Sequence, residues 1–124
     1  MKNAANWFEL PTADLERARR FYEVVLGLKL KQEVFGGIPM AIFPYQDGVG
    51  GALLRDDRYR PSPDGAVVYL DATGALDACL ARVAAAGGKV VVPRTDIGEP
   101  GFIALVIDTE GNRVGLHDPV RPGR

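Results

Sequence analysis

Two stretches of the chain carry apolar residues at helical spacing. Leu15, Ala18, Tyr22, Val25 and Leu26 form one stripe, interleaved with Glu16, Arg17, Arg19, Arg20 and Glu23. This pattern predicts an amphipathic helix with one face in the core. Leu76, Cys79, Leu80, Val83 and Ala86 form a second such stripe, closed by Gly87 and Gly88. Short runs rich in branched and aromatic residues surround the helices and read as strands. They are Asn6–Leu10, Leu28–Phe35, Met40–Tyr45 and Gly50–Arg55 in the first half, and Val67–Leu70, Lys89–Pro93, Phe102–Ile107 and Arg113–His117 in the second. Pro11 stops the first strand, and Thr12 offers a hydroxyl as N-cap of the helix, with Asp14 and Glu16 in its first turn. Gly27 ends that helix. GGIP, QDG and DTEGN mark turns between strands.

The two halves follow one order, strand, helix and three strands, and they align. LERARRFYEVVLGLKL lies over LDACLARVAAAGGKVV at an offset of 61, pairing Leu15 with Leu76, Gly27 with Gly88, Pro39 with Pro100 and Asp47 with Asp108. Toward the ends of the units the offset grows to 64, and GGAL (Gly50 to Leu53) falls opposite VGLH (Val114 to His117). A unit this long, present twice, indicates a duplicated supersecondary module with a pseudo-twofold axis rather than a solenoid. Concave sites form where such halves meet. Residues 4–55 make module one, the polar, proline-containing stretch 56–65 is a linker, residues 66–118 make module two, and the tail DPVRPGR reads as loose.

Composition narrows the classes of function. At 124 residues the chain is one domain with room for a core that needs neither disulfide nor structural metal. Net charge is −1, and the densest basic stretch, Arg17, Arg19 and Arg20, is interleaved with acids on a helix face, so no nucleic-acid partner is expected. Cys79 is the one cysteine and lies on an apolar stripe, which makes it a core residue and rules out an intrachain disulfide. The start, MKNAANWFEL, lacks the apolar run of a signal peptide, and no stretch has the length to span a bilayer. A cytoplasmic protein is the expectation. Ser62 is the only serine, so no serine triad is available, and GGIP and GEPG precede strands rather than helices, so neither has the geometry of a phosphate loop.

With two βαβββ modules, FYEVVLGLKL in the first helix and IDTEGNRVGLH at the end, the chain resembles the vicinal oxygen chelate superfamily. That superfamily includes glyoxalase I, bleomycin-resistance proteins and extradiol dioxygenases. The likeness covers nearly the whole chain and implies an α+β fold whose two modules form a cup-shaped mixed sheet, with helices outside and small molecules on the concave face. It also implies a homodimer whose sites combine module one of one chain with module two of the other. Metal-dependent members hold a divalent ion with His and Glu from the first and last strands of each module. Carried over by position, those sites fall here on Trp7, Gly51, Gly115 and either Val67 or Val68. None is a metal ligand. Independently, the chain has a single histidine, whereas a catalytic zinc, nickel or iron site usually takes three protein ligands with at least one imidazole. No metal and no cofactor are expected.

Other residues then carry any chemistry. Side chains alternate faces along a strand, so Glu9 points the same way as Trp7, and His117 the same way as Gly115. A carboxylate and an imidazole in one concavity supply a general base and a general acid. The plainer reading ties Glu9 to an arginine or a backbone amide and leaves His117 capping a strand. Trp7, Tyr45, Tyr69 and Phe102 offer stackable rings to a small organic ligand, or core packing. Gly50, Gly51 and Gly115 open the cup floor or mark kinks. DDRYR around Tyr59 reads as a flap over the site or as solvated linker. The leading expectation is therefore small-molecule binding with metal-independent isomerase- or lyase-type proton transfer by Glu9 and His117. Its alternatives are a non-catalytic sequestering or drug-resistance protein, a small-molecule sensor and, last, a metal-dependent glyoxalase I. Bleomycin-resistance relatives tend to be acidic to attract a cationic drug, and the near-neutral charge here argues against that branch.

Overall fold

A computed structural model of the chain describes residues 3–120. Module one runs β1 (Trp7–Pro11), α1 (Leu15–Leu26), β2 (Lys31–Phe35), β3 (Ile38–Ile42) and β4 (Gly50–Leu54). Module two runs β5 (Tyr69–Asp71), α2 (Leu76–Val83), β6 (Lys89–Asp96), β7 (Phe102–Ile107) and β8 (Arg113–Asp118). Each module forms its own four-stranded mixed sheet, ordered β1-β4-β3-β2 and β5-β8-β7-β6. The first strand of each is an edge strand, parallel to the last. The fold is the expected α+β duplication.

Local chemistry explains the element ends. The N-cap of α1 is Asp14, not Thr12: the Asp14 carboxylate accepts the Arg17 amide at 3.0 Å. Thr12 is buried, and its hydroxyl donates to the Leu54 carbonyl at 3.0 Å. It ties the strand end rather than the helix start. Gly27 closes α1 with φ of 68°, a left-handed conformation that costs glycine little. Gly36 and Gly37 both have positive φ and form the two-residue hairpin loop, so Ile38 and Pro39 of the expected turn belong to β3. β6 extends past Pro93 to Asp96 through irregularities between Val90 and Thr95, which accommodate a residue without an amide hydrogen. Asp118 belongs to β8 and is buried, accepting the amides of Gly74 and Val120, and so departs from the loose tail expected. Arg121 and the residues after it lie outside the described residues, as do Met1 and Lys2.

One core joins the modules. Ala18, Phe21, Tyr22 and Val25 of α1 pack with Leu76, Cys79 and Val83 of α2 and with the inner faces of both sheets. Phe21 sits fully inside beside the predicted stripe, with its ring edge-to-face on Tyr22. Arg82 of α2 donates to the Val25 carbonyl at 2.8 Å, capping the C-terminal end of α1 where a cation is favoured. Among the described residues no strand of one sheet pairs with a strand of the other.

A second link runs through the DTEGN turn. Glu110, its side chain without solvent exposure, accepts the amides of Ala13 and Asp14 at 2.9 and 2.8 Å and the Arg17 guanidinium at 2.8 and 3.0 Å. Asp108 accepts the Tyr22 hydroxyl at 2.6 Å, and Asn112 donates to the Pro11 carbonyl at 2.7 Å. The turn of module two thus grips the helix start of module one. The linker is pinned as well, because Ser62 donates its amide to Asn112 and Arg113 reaches the Pro63 carbonyl. Tyr59 is exposed beneath the Arg58 guanidinium, as a solvated linker residue would be.

Candidate functional site

The parallel registers define the outer, concave side of each sheet. In module one Trp7 is opposite Gly50 and Glu9 is opposite Ala52. In module two Tyr69 is opposite Gly115 and Asp71 is opposite His117. Neighbours in a parallel pair share a face, so these eight positions correspond between modules two by two. The equivalent of Gly115 is therefore Gly50, one residue from the Gly51 expected, and the equivalent of Trp7 is Tyr69 rather than Val67 or Val68. A shift of one residue reverses the face. A side chain at Gly51 would meet the Phe8 ring, on the side of the core, while one at Gly50 would meet Trp7 and Tyr45.

These contacts also explain the glycines. A Cβ at Gly115 would lie 2.2 Å from the Tyr69 ring, and one at Gly50 would lie 2.8 Å from Tyr45 and 2.9 Å from Trp7. Aromatic rings occupy the space above both strand glycines, so the expected open floor is covered. Trp7 and Tyr45 meet edge to face with centroids 5.9 Å apart. Both are exposed, as is Tyr69. Phe102 shares the face of Ala104 and Val106 and packs on the core under the Arg94 guanidinium, 4.1 Å from its centroid. It does not line the concave side.

A cleft of about 410 Å³ lies between the edges of β1 and β5, bordered by Trp7, Phe8, Gly50, Gly51, Val68 and Tyr69. A second depression of about 440 Å³ is lined by Tyr69, Ile97, Ile103 and His117. Tyr69 borders both. Glu9 is exposed and accepts the Trp7 indole N–H at 3.3 Å, neither of the partners the plainer reading proposed. His117 Nε2 stands 2.6 Å from the Pro100 carbonyl. A carbonyl only accepts, so Nε2 is the donor in this contact, and in a neutral ring the lone pair would then lie on Nδ1. Glu9 and His117 stand on separate sheets and border no common depression among the described residues.

Asp71 is the site residue that sequence reasoning overlooked. Its hydrogen bonds from the Thr73 hydroxyl and amide hold its carboxyl below the ordinary aspartate value. The repeat alone set Trp7 opposite Val67 or Val68, and only the strand register shows that Asp71 stands to Tyr69 as Glu9 stands to Trp7. Cys79 is buried on α2, and burial pushes its thiol up, away from the reactive thiolate.

The four positions where a metal would be held carry Trp7, Gly50, Tyr69 and Gly115, and these do not fit one. Indole and glycine provide no donor, and Tyr69 lies over Gly115. Among the described residues no three His, Cys, Asp or Glu side chains converge into a ligand set. No described helix is long and apolar enough to cross a membrane.

Residues 4–116 match the Glyoxalase/Bleomycin resistance protein/Dioxygenase superfamily, and the chain belongs to it. Among curated relatives it is 30% identical over 120 residues to CFP32 of Mycobacterium tuberculosis, a protein provisionally named a glyoxylase, and equally to that of Mycobacterium bovis. The match covers 90% of this chain and 44% of the relative, so the chain spans less than half the length of the curated relatives it matches. A glyoxalase/bleomycin resistance protein from Albidiferax ferrireducens superposes with a TM-score of 0.72 at 17% identity, covering 97% of this chain and all of that one. Glyoxalase I from Zea mays superposes with a TM-score of 0.69 at 24% identity, over 91% of this chain and 45% of its own. These two likenesses establish the fold.

Proposed function

We propose that the protein binds a small organic molecule against the aromatic concave side of its sheets and moves a proton on it, with Glu9 and His117 as the acid–base pair. The observation that supports this reading is the 2.6 Å contact of His117 Nε2 with the Pro100 carbonyl, which uses Nε2 as donor and so assigns the role of base to Nδ1, on a residue that lines an apolar depression. Glu9, exposed beside the indole, supplies the second group from the other module. The two stand on separate sheets and border no common depression within the described residues of one chain, so the reading takes a homodimer in which module one of one copy faces module two of the other.

The test is a thermal-shift screen of metabolites and antibiotics, followed by turnover of each hit in wild type, Glu9→Gln and His117→Ala. General acid–base catalysis contributes about a hundredfold or more, so each change should lower kcat by about that factor while binding persists. Unchanged turnover in both variants overturns the catalytic role. Sedimentation showing a monomer at micromolar concentration overturns the shared site. The separation of Glu9 from His117 favours a second reading, in which binding alone is the activity. Tight ligands with no turnover would select it.

A further inference from the structure

The ligand class follows from the cleft between β1 and β5, and the inference rests on the small-molecule reading above. Trp7 and Tyr69 occupy equivalent positions in the two modules, each lies over a strand glycine, and both border the cleft. Each ring lies where a side chain on its glycine would stand, and part of its surface remains accessible. Trp7 is 39% exposed and Tyr69 49% exposed, although burial of such residues is ordinarily favourable. Behind them Phe8, Val67 and Val68 make the wall apolar. Asp71 is the one charged residue among those lining the cleft, and its carboxylate already holds the Thr73 amide and hydroxyl. Among the described residues no cation borders the space, so an anion would enter it without a partner there and beside a like charge.

We infer that the cleft receives a flat aromatic molecule without negative charge, stacked on Trp7 and Tyr69. Tyr69 also borders the depression lined by His117, so the ring is shared by the two spaces. Two rings as platforms favour planarity, whereas the aliphatic wall alone would accept any apolar shape.

Three probes separate the alternatives: naphthol, its saturated counterpart decahydronaphthol and the anion naphthoate. Trp7 is the only tryptophan, so its fluorescence reports directly on the cleft, and calorimetry measures the non-absorbing probe. Naphthol should quench Trp7 saturably and bind about tenfold more tightly than either of the others. Tyr69→Leu should remove the preference for the flat ring, and Tyr69→Phe, which keeps a ring over Gly115, should retain it. Equal affinity for all three probes, no binding of any, or a preference unchanged in Tyr69→Leu overturns the inference. If decahydronaphthol-like aliphatic compounds bind best and turn over through Glu9 and His117, the ligand class fails and the acid–base reading stands. If naphthol binds as expected while no turnover depends on Glu9 or His117, the acid–base reading fails and the ligand class stands.

Discussion

In module one the carboxylate next to the aromatic anchor is Glu9, whose register partner is Ala52; in module two the corresponding pair is Asp71 and His117. The backbone plan is the same, yet module two places an imidazole and a carboxylate side by side while module one presents a carboxylate alone. The turns before the last strands differ in the same way. Asp47 is exposed with φ of 40°, whereas its counterpart Asp108 is buried and holds Tyr22, Glu110 and Asn112. At the helix starts, α1 is capped by Asp14 and gripped by Glu110, whereas Ala75, in the cap position before α2, offers no side-chain cap. Two modules on one backbone plan thus differ in that only the second carries the imidazole and the clasp onto the other module. Backbone hydrogen bonding constrains where strands lie and leaves the outward side chains free to change.

The clasp is where this asymmetry has its largest expected effect on stability. Glu110→Ala removes the acceptor of two amides and a guanidinium, and it should cost about 2–3 kcal/mol in urea unfolding. Arg17 is 47% exposed, so most of that cost comes from the helix start rather than the ion pair. A loss within 0.5 kcal/mol would remove the clasp from the account of how the modules hold together, a threshold set by ordinary surface substitutions, about ±0.5 kcal/mol.

The glycine platforms come next. Gly115→Ala drives a methyl group into the Tyr69 ring and should cost about 1–2 kcal/mol, more than Gly50→Ala, where the overlap is smaller. In a Tyr69→Ala background the Gly115→Ala cost should nearly vanish, and additive costs would show that the ring and the glycine are not coupled. Asp14→Ala should cost about 1 kcal/mol through loss of the cap, while Ala75→Ser at the uncapped start of α2 should change stability by less than about 0.5 kcal/mol.

The smallest effect is in pH dependence. Burial raises the pKa of Glu110, but the hydrogen bonds from Arg17, Asp14, Thr109 and Ala13 outweigh it and hold the carboxyl below the ordinary glutamate value of 4.5. The stability it contributes is therefore fully present above that value and is lost as pH falls through the lowered folded value. Unfolding free energy should fall with acidification below pH 4.5 in wild type, and Glu110→Gln should flatten that slope. Parallel curves for the two proteins would mean that other carboxylates, Asp118 among them, account for the acid sensitivity.

The repeat, the helical stripes and the positions of the turns were legible in the sequence because they depend on local periodicity and on residues with special backbone freedom. Leu76, Cys79 and Val83 are buried as their spacing requires, and Gly27 adopts the left-handed conformation that a helix end favours. The same-face relation of Glu9 to Trp7 and of His117 to Gly115 follows from strand alternation alone. Other features were decided only by tertiary structure. Whether Gly50 or Gly51 is the partner of Trp7 depends on interstrand register, which an alignment drifting by a few residues cannot fix, and one step reverses the face. Phe102 turned to the core, Thr12 to Leu54 and Glu110 to α1, because each found its partner in an element distant in sequence. Local pattern determines which elements form, and long-range packing determines which side chains meet.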